Sequence, residues 1–335
     1  MTAAPGPMER RDCVTATLMA EYRPAWHDPN KRIMFEIACP PGAAHGGRLA
    51  YSRWAAMPLP ESLELATAGR LVRVLDGFYD YTPSLDPEEG IEWHVNFADP
   101  HLFVAYASSL FAQDEMQVAE HPALGALREA LVADRLAAVT VEKGEPTPVL
   151  VMGVERRCWV ATDPDAAEGR PAGLYGNAFA RADGDAVRRA TTPIEPPTIT
   201  NLIAMAAPPP GYGRYGADEI ESLLTTAFTG FRAAVLESRR ERGRATSVAV
   251  HTGYWGCGAF GGNRVLMALL QVLAADLAGL DQLVFHVGGP GGRDPLEEAL
   301  RLIDSRLGTD RAPSTREFIN RIEMIGFEWN VSDGN

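Results

Sequence analysis

A glycine-rich stretch, residues 250–263, joins an apolar β-like run to a long apolar helix, and it contains five glycines. Glycine has no Cβ, so the backbone can turn at positive φ and a ligand can approach main-chain N–H groups closely. The helix that follows adds its unpaired N-terminal donors and the positive end of its dipole. The pattern predicts an anion site for a phosphate or diphosphate. The alternative is a tight strand-to-helix turn whose glycines serve packing alone.

Two adjacent acidic residues, Asp114 and Glu115, open a predicted helix just after the apolar pair Phe111 and Ala112. Burial and a neighbouring carboxylate both raise the pKa of a carboxyl group, which suits it to donate a proton near neutral pH. The alternative is that both are first-turn residues favoured by the helix dipole.

Composition and charge restrict the class of protein. The chain has 335 residues, 46% of them apolar and 22% charged, as expected of a globular protein. Its net charge of -13 argues against general nucleic-acid binding, which needs clustered Lys and Arg. Four scattered cysteines, without metal-ligand spacing, are interpreted as free thiols in a reducing compartment. No apolar run has the length of a membrane span, so a cytoplasmic enzyme without membrane contact is expected.

The first 90 residues predict an N-terminal accessory region. We expect a frayed tail to residue 12, a short helix over 13–22, a strand over 33–38 and a helix over 60–81. A turn-rich segment, 81–90, is the predicted seam with the core.

Strands and helices alternate after the seam, which indicates a layered α/β core over 91–300 and a helical tail over 301–335. Strands are predicted at 92–98, 148–154, 198–206, 246–251 and 282–287, and helices at 113–136, 217–242 and 263–277. The long polar segment 161–197 is predicted to be a surface excursion over a pocket. The helix over 263–277 is apolar nearly all round, so it belongs in the middle of the fold.

The sequence Thr252-Gly-Tyr-Trp-Gly-Cys-Gly-Ala-Phe-Gly-Gly-Asn263 resembles the T-G-N-W-G-C-G-A-F-G-G-D loop of poly(ADP-ribose) glycohydrolases and differs from it mainly at Tyr254 and Asn263. That family has a macrodomain as its catalytic domain, and its loop wraps the diphosphate and adjoining ribose of ADP-ribose. The resemblance therefore implies a divergent, bacterial-like member with a three-layer α/β/α fold and a mixed central sheet.

A second block supports the resemblance, because the family's D-F-A-N and Q-E-E motifs correspond to residues 96–99 and 113–115 here. The resemblance implies that Glu115 is the catalytic glutamate and that Asp114 takes the place of its neighbour. It also implies a set of substrate-binding residues: Asn96, Asp99, Gln113, Gly253, Tyr254, Trp255, Gly256, Cys257, Gly258, Ala259 and Phe260.

Several of these residues have a structural alternative. Asn96, Asp99 and Gln113 could cap turns, Phe260 could be a core aromatic, and Trp255 is better explained by packing. Cys257 is favoured as a small filler over a nucleophile. The five histidines at 94, 101, 121, 251 and 286 show no metal-ligand pairing and are each interpreted as structural.

The sequence also departs from the family's pattern. The triple-glycine segment of the family is Phe103-Val104-Ala105 here, and bulky side chains cannot offer the same approach to a diphosphate. Asn96 and Asp99 exchange the family's Asp and Asn. The aromatic residue that stacks on adenine corresponds to Val287 or His286. These changes favour a small substrate over a long polymer.

The main hypothesis is a hydrolase that cleaves a ribosyl bond in an ADP-ribose-containing or NAD-derived molecule, or in an ADP-ribosylated protein. It uses Glu115 as general acid and base, and it needs no cofactor or metal. The alternative is a binding module for ADP-ribose or NAD that has lost catalysis. A third hypothesis, a diphosphate hydrolase, predicts metal dependence, but the clustered acidic ligands of such a site are missing from the sequence.

Overall fold

A computed structural model describes residues 5–63, 70–307 and 313–332. Cys13, Cys39, Cys158 and Cys257 are free thiols. Within these described ranges, no helix combines the length and the apolar character needed to cross a bilayer.

The chain forms ten strands and nine α-helices over the described residues. The strands are β1 (Glu9–Val14), β2 (Arg48–Arg53), β3 (Val72–Leu75), β4 (Gly90–Ala98), β5 (Val141–Glu142), β6 (Glu145–Pro146), β7 (Val149–Val160), β8 (Thr191–Ala206), β9 (Ser247–Thr252) and β10 (Gln282–His286). The helices are α1 (Thr15–Glu21), α2 (Pro29–Ala38), α3 (Gln113–Glu120), α4 (Ala123–Ala133), α5 (Gly184–Ala190), α6 (Ala217–Arg242), α7 (Arg264–Ala278), α8 (Arg293–Leu302) and α9 (Thr315–Glu323). A 3-10 helix covers Gly176–Arg181, and a π-helical turn covers Ile303–Leu307.

Eight strands form one mixed sheet in the order β1-β2-β7-β8-β4-β9-β10-β3. The β1-β2-β7-β8 half is antiparallel, whereas β8, β4, β9, β10 and β3 run parallel. The carboxyl ends of the parallel strands therefore meet along one edge of the sheet, where ligand sites of open α/β sheets lie.

Side chains alternate between two cores on either side of the sheet. On β8, Ile203 and Met205 face the core that contains α6 to α9, while Leu202 and Ala204 face the core that contains α1 to α5. The predicted three-layer α/β/α architecture with a mixed sheet is confirmed. Helix α7 is packed between α6 and α8, as its apolar circumference predicts.

Helix α2 corrects the predicted strand over 33–38. Short apolar runs fit either structure, and here the start signals decide, because Pro29 occupies the first turn and the side chain of Asp28 accepts a hydrogen bond from the Lys31 N–H at 3.0 Å.

The N-terminal region is part of the same sheet. Strand β1 lies within the predicted tail and helix, and pairs with β2 at one edge. Strand β3 lies within the predicted helix over 60–81 and adds to the free edge of β10, an interaction that local spacing does not reveal; residues 64–69 of that prediction are outside the described residues. The division at residues 90 and 300 stays a prediction, although residue 90 begins a central strand and residue 300 lies inside α8.

The segment 161–197 is more ordered than a surface excursion. Its second half contains the 3-10 helix, α5 and the first residues of β8, and Phe179 and Val187 are fully buried in the core. The ring of Phe179 stacks on Phe111 with the centroids 4.0 Å apart. This segment thus supports the chain just before α3.

Each edge of strand β4 is paired along only half of its length. One edge pairs with β9 from Gly90 to His94, and the opposite edge pairs with β8 from His94 to Ala98. The side chain of Gln113 replaces β9 beyond that point, since its Oε1 accepts from Phe97 N at 2.7 Å and its Nε2 donates to Val95 O at 3.1 Å. The hydroxyl of Tyr79 lies between β4 and β9, 3.1 Å from Val95 O and 3.2 Å from His251 O.

Replacing Tyr79 by Phe should destabilise the fold by about 1–2 kcal/mol, because the carbonyl of His251 loses its hydroxyl donor inside the protein. Urea unfolding measures this change. Tyr212→Phe is the matched control, since Tyr212 is 96% exposed. Equal unfolding midpoints for the two variants would show that the Tyr79 hydroxyl does not hold the strands.

Candidate functional site

The glycine-rich loop and the start of α3 lie side by side because they follow neighbouring parallel strands, β9 and β4. A Cβ built on Gly253 would lie 3.6 Å from the Phe97 ring and 3.0 Å from the carbonyl of His286. Phe97 N in turn bonds to Gln113, the first residue of α3. The two sequence motifs therefore meet in one crevice.

The two acidic residues of α3 are both buried, with 5% of Asp114 and 4% of Glu115 exposed. Asp114 accepts a hydrogen bond from the Asn96 amide at 3.0 Å. Glu115 Oε2 accepts from the Ala112 backbone N–H at 3.0 Å, so it also closes the first turn of α3.

Burial is the main influence on both carboxyl groups. It raises the pKa of Asp114, and the charge of Glu115 raises it further, while the Asn96 amide acts in the opposite direction. Burial likewise raises the pKa of Glu115, against the hydrogen bonds to its carboxylate and the charge of Lys31. The site can thus hold a proton at a pH where exposed carboxyl groups are ionised, as a general acid requires.

The polar residues around the acids are largely committed to the protein. Asn96 is fully buried and donates to Asp114 and, at 2.9 Å, to Gln117, while its Oδ1 finds no partner among the described residues. Gln113 seals the edge of β4 through both ends of its side-chain amide, and its role as a substrate contact stays a prediction. Asp99 caps a turn by accepting from His101 N at 2.8 Å, and its side chain stays partly exposed.

The segment that replaces the triple glycine keeps a glycine-like backbone at one residue. Phe103 has φ +52° although its side chain is fully buried, and Val104 is exposed. This turn presents the carbonyls of Ala105 and Tyr106 to the ammonium of Lys31 on α2, which is itself fully buried.

Two glycines of the loop have no substitute. Gly256 has φ +72° and a Cβ there would lie 2.6 Å from that of Ala207; Gly261 has φ +63° and its Cβ would lie 2.5 Å from the carbonyl of Asn330. The N–H groups of Gly258, Ala259 and Phe260 have no acceptor among the described residues. Three consecutive free N–H groups form the kind of concavity that binds an anion.

The start of α7 was expected to offer unpaired N–H donors, but the side chain of Asn263 caps it. Asn263 Oδ1 accepts from the N–H groups of Val265 and Leu266 at 3.1 and 3.2 Å, so these donors are not free for a ligand. The anion site therefore rests on the loop itself. The nearby cation is Arg264, whose guanidinium lies 5.2 Å from the ring centre of Tyr254.

The larger side chains of the loop hold it in place. Trp255 is 1% exposed and its indole donates to Met205 O at 2.9 Å, so this side chain is not available to a ligand. Tyr254 donates its hydroxyl to Gly292 O. Burial raises the pKa of Cys257 to about 12, which makes it a protonated filler. Phe260 packs partly against the core.

A stack of buried rings lies beneath the crevice, on the face of the sheet that carries α3. His94 stacks on His251, with centroids 4.3 Å apart, and Tyr81 covers its other face at 4.5 Å. His251 Nδ1 lies 3.0 Å from His286 Nε2, and its Nε2 lies 3.2 Å from a Glu92 oxygen. Both ring nitrogens of His94 are without partners among the described residues.

Burial and the neighbouring imidazoles hold the pKa of His94 well below its usual range, and burial lowers the pKa of His286 to about 4. In the unfolded chain, a histidine side chain binds its proton near pH 6.5. This is about two units above the pKa of His286 in the folded protein. The unfolded chain therefore binds more protons in the window between, and the contribution of these histidines to stability is lost as the pH falls through it.

His94→Phe keeps an aromatic ring in the stack and removes a group that must stay neutral. We expect its stability relative to the parent to rise as the pH falls from 7 to 5, by about 1.4 kcal/mol per pH unit at most. The difference between the two chains cancels the opposite contribution of Asp114 and Glu115. Urea unfolding at several pH values measures it, and parallel curves would exclude His94 as the responsible group.

A large exposed aromatic side chain lies beside the end of β10, next to the two residues predicted to correspond to the adenine-stacking aromatic. Val287 and His286 are buried, whereas Phe78 is 76% exposed. Phe78 lies 3.4 Å from the Cβ position of Gly288, just beyond the end of β10. It comes from the N-terminal region, where the sequence offered no motif.

Sequence reasoning therefore missed Lys31, Phe78, Tyr79 and Arg264. One signal was available for Lys31, since the chain has only two lysines. The other three are ordinary in type. Arg264 directly follows the glycine-rich loop, whereas Phe78 and Tyr79 reach the crevice only through the packing of distant segments.

Two surface cavities lie elsewhere in the molecule. One, of about 510 Å³, is lined by residues near Pro58 and Thr315, and the other, of about 870 Å³, by α1, α2 and the loop after Cys39. Over the ranges that the structure describes, no three His, Cys, Asp or Glu side chains are arranged to hold a metal ion. The crevice, rather than either cavity, unites the chemically suited residues.

Comparison with known proteins places this combination of fold and loop. Residues 174–289 match the sequence model of the poly(ADP-ribose) glycohydrolase (PARG) catalytic domain, of macro domain fold. The resemblance predicted from the loop is confirmed over this segment. The prediction of a glycosidase-type hydrolase agrees with the activity for which this family is named.

Solved structures with a similar arrangement include two bacterial poly(ADP-ribose) glycohydrolases. The protein from Thermomonospora curvata, bound to the inhibitor ADP-HPD, is 17% identical over 81% of this chain and 98% of its own, with a TM-score of 0.46. The protein from Deinococcus radiodurans, in complex with ADP-ribose, is 13% identical over 87% and 97%, with a TM-score of 0.42.

Proposed function

We propose that this protein hydrolyses a ribosyl bond in an ADP-ribose-containing or NAD-derived small molecule. The observation that carries the proposal is the proximity of Gly253 to Phe97, since a Cβ placed on this glycine would lie 3.6 Å from the Phe97 ring. The glycine-rich loop thus lies beside the strand end that precedes Glu115. The loop supplies N–H groups for a diphosphate, and α3 supplies a carboxyl group that retains its proton.

Glu115 is the general acid and then the general base in this proposal. Its proton passes to the leaving group as the bond at the ribose C1 breaks, and the carboxylate then takes a proton from the water that attacks the oxocarbenium-like centre. Asp114 orients Asn96, and the bound diphosphate places negative charge near the developing cation. No step requires a metal or cofactor.

The Phe103-Val104-Ala105 segment supports the choice of substrate. A fully buried Phe103 and an exposed Val104 leave less room beside the diphosphate than glycines do. A compact substrate, or a single ADP-ribose on a protein, fits this better than a polymer. Four free thiols and the acidic net charge support a cytoplasmic location without nucleic-acid partners.

Glu115→Gln should lower turnover by about 10²–10⁴-fold and leave ADP-ribose affinity within a few-fold, because the amide keeps the shape but cannot transfer the proton. Release of ADP-ribose or ribose phosphate from a substrate panel measures turnover, and calorimetry measures affinity. Glu21→Gln, at an exposed position, is the control.

Undiminished turnover in Glu115→Gln would remove this residue from the mechanism. Tight binding without turnover by the parent would instead support the alternative, a module that reads ADP-ribose or NAD. Absence of binding to ADP-ribose, NAD and AMP would contradict both functions.

Phe78 is proposed as the adenine platform, because it is the exposed aromatic beside Gly288 at the end of β10. Phe78→Ala should weaken ADP-ribose binding by about 5- to 150-fold, the usual range for loss of a base-stacking ring. Ribose 5-phosphate, which has no base, should bind the variant and the parent equally. Equal losses for both ligands would contradict stacking.

A further inference from the structure

The segment Phe103-Val104-Ala105, which replaces the family's glycines, continues into a turn over residues 105–107. Residues 25–31 of the N-terminal region bind this turn. The N–H groups of His27 and Asp28 both donate to Ala107 O at 3.1 Å. The Ala25 N–H donates to the Tyr106 hydroxyl at 2.8 Å. Three backbone N–H groups of this segment thus bond to two residues of the turn.

The positively charged side chain of Lys31 also binds this turn. Its ammonium donates to Tyr106 O at 2.8 Å and to Ala105 O at 3.4 Å. The residue is fully buried, although it is one of two lysines in a chain that uses arginine for nearly all of its cations. A buried cation is costly unless negative groups compensate it.

The compensating groups are those of the candidate catalytic site. Burial lowers the pKa of Lys31 to about 8, and the charges of Glu115, Asp28 and Asp114 oppose that decrease. In return, the charge of Lys31 acts to lower the pKa of both Asp114 and Glu115. Helix α2 packs against α3, and the Lys31 ammonium lies 5.9 Å from the centre of the Phe111 ring, just before α3. Lys31 therefore lies beside the acidic start of α3 while it binds the turn.

We propose that Lys31 is a positioning residue of the catalytic site, which fixes the 105–107 turn and supplies the positive charge that faces Asp114 and Glu115. The inference rests on the proposed function for its catalytic consequence, whereas the coupling between Lys31 and Glu115 can be measured without any turnover. It also assigns a role in the site to the N-terminal region.

The coupling is tested by NMR on protein labelled with ¹³C in its lysine side chains, which gives signals from Lys31 and Lys143 alone; Lys143→Arg assigns them. The Lys31 signal should titrate at a pH of about 8, below the usual range of a lysine side chain. In Glu115→Gln the Lys31 titration should shift down further, on the order of one pH unit.

Glu36→Gln is the matched control, because Glu36 is an exposed carboxylate on the same helix. It should leave the titration of Lys31 unchanged. An Lys31 signal that titrates at the same pH in the parent and in Glu115→Gln would overturn the proposal, and so would equal shifts in both variants. This result does not depend on whether the protein turns over any substrate.

The catalytic consequence is tested with Lys31→Gln, whose amide can still donate to the turn but carries no charge, and with Lys31→Arg, which retains the charge. Loss of the charge raises the pKa of Glu115, so the limb of the pH–rate profile that reports this group should move to higher pH in Lys31→Gln and stay in place in Lys31→Arg. We expect kcat to fall more than KM rises.

Tyr106→Phe is the control for a merely loosened turn, because it removes the hydrogen bond to Ala25 and keeps Lys31. It should leave the position of the pH–rate limb unchanged. Equal pH profiles in Lys31→Gln and Tyr106→Phe would show that Lys31 acts only as a structural contact and would overturn its electrostatic role.

Discussion

The parting of β4 from β9 is the constraint on which the rest of the site depends. Beyond His94, the edge of β4 that faces β9 has no neighbouring strand among the described residues. Its N–H and C=O groups must therefore find other partners. Gln113 and Tyr79 provide them. Because Gln113 is the first residue of α3, sealing this edge also sets where α3 begins and brings Glu115 to the crevice.

The electrostatics of the crevice follow from its closure. Asp114 and Glu115 are almost completely buried, so their protonated forms are favoured, and the same burial keeps His94 and His286 neutral. The acids and the histidines thus shift in the directions that minimise buried charge. Lys31 is the exception, and its carbonyl acceptors and acidic neighbours explain how it is retained.

Much of the central fold could be predicted from local patterns. Helix α6 has the predicted bounds, because its acidic first turn and arginine-rich last turn mark both ends. Strand β9, before the glycine-rich loop, and strand β10, after α7, also agree with prediction within about two residues. The N-terminal elements could not be found in this way, since β1 and β3 exist through pairing with β2 and β10 at the edges of the sheet.

The sequence by itself determined the glycine-rich loop, the acidic start of α3 and the buried character of α7, because each depends on residue types at short spacing. Only the tertiary structure decided that the side chains of Gln113 and Asn263 bond to the protein itself. It alone brought Lys31, Phe78 and Tyr79 from the N-terminal region to the crevice, because hydrogen bonds and ring contacts between segments distant along the chain leave no periodic pattern in the sequence.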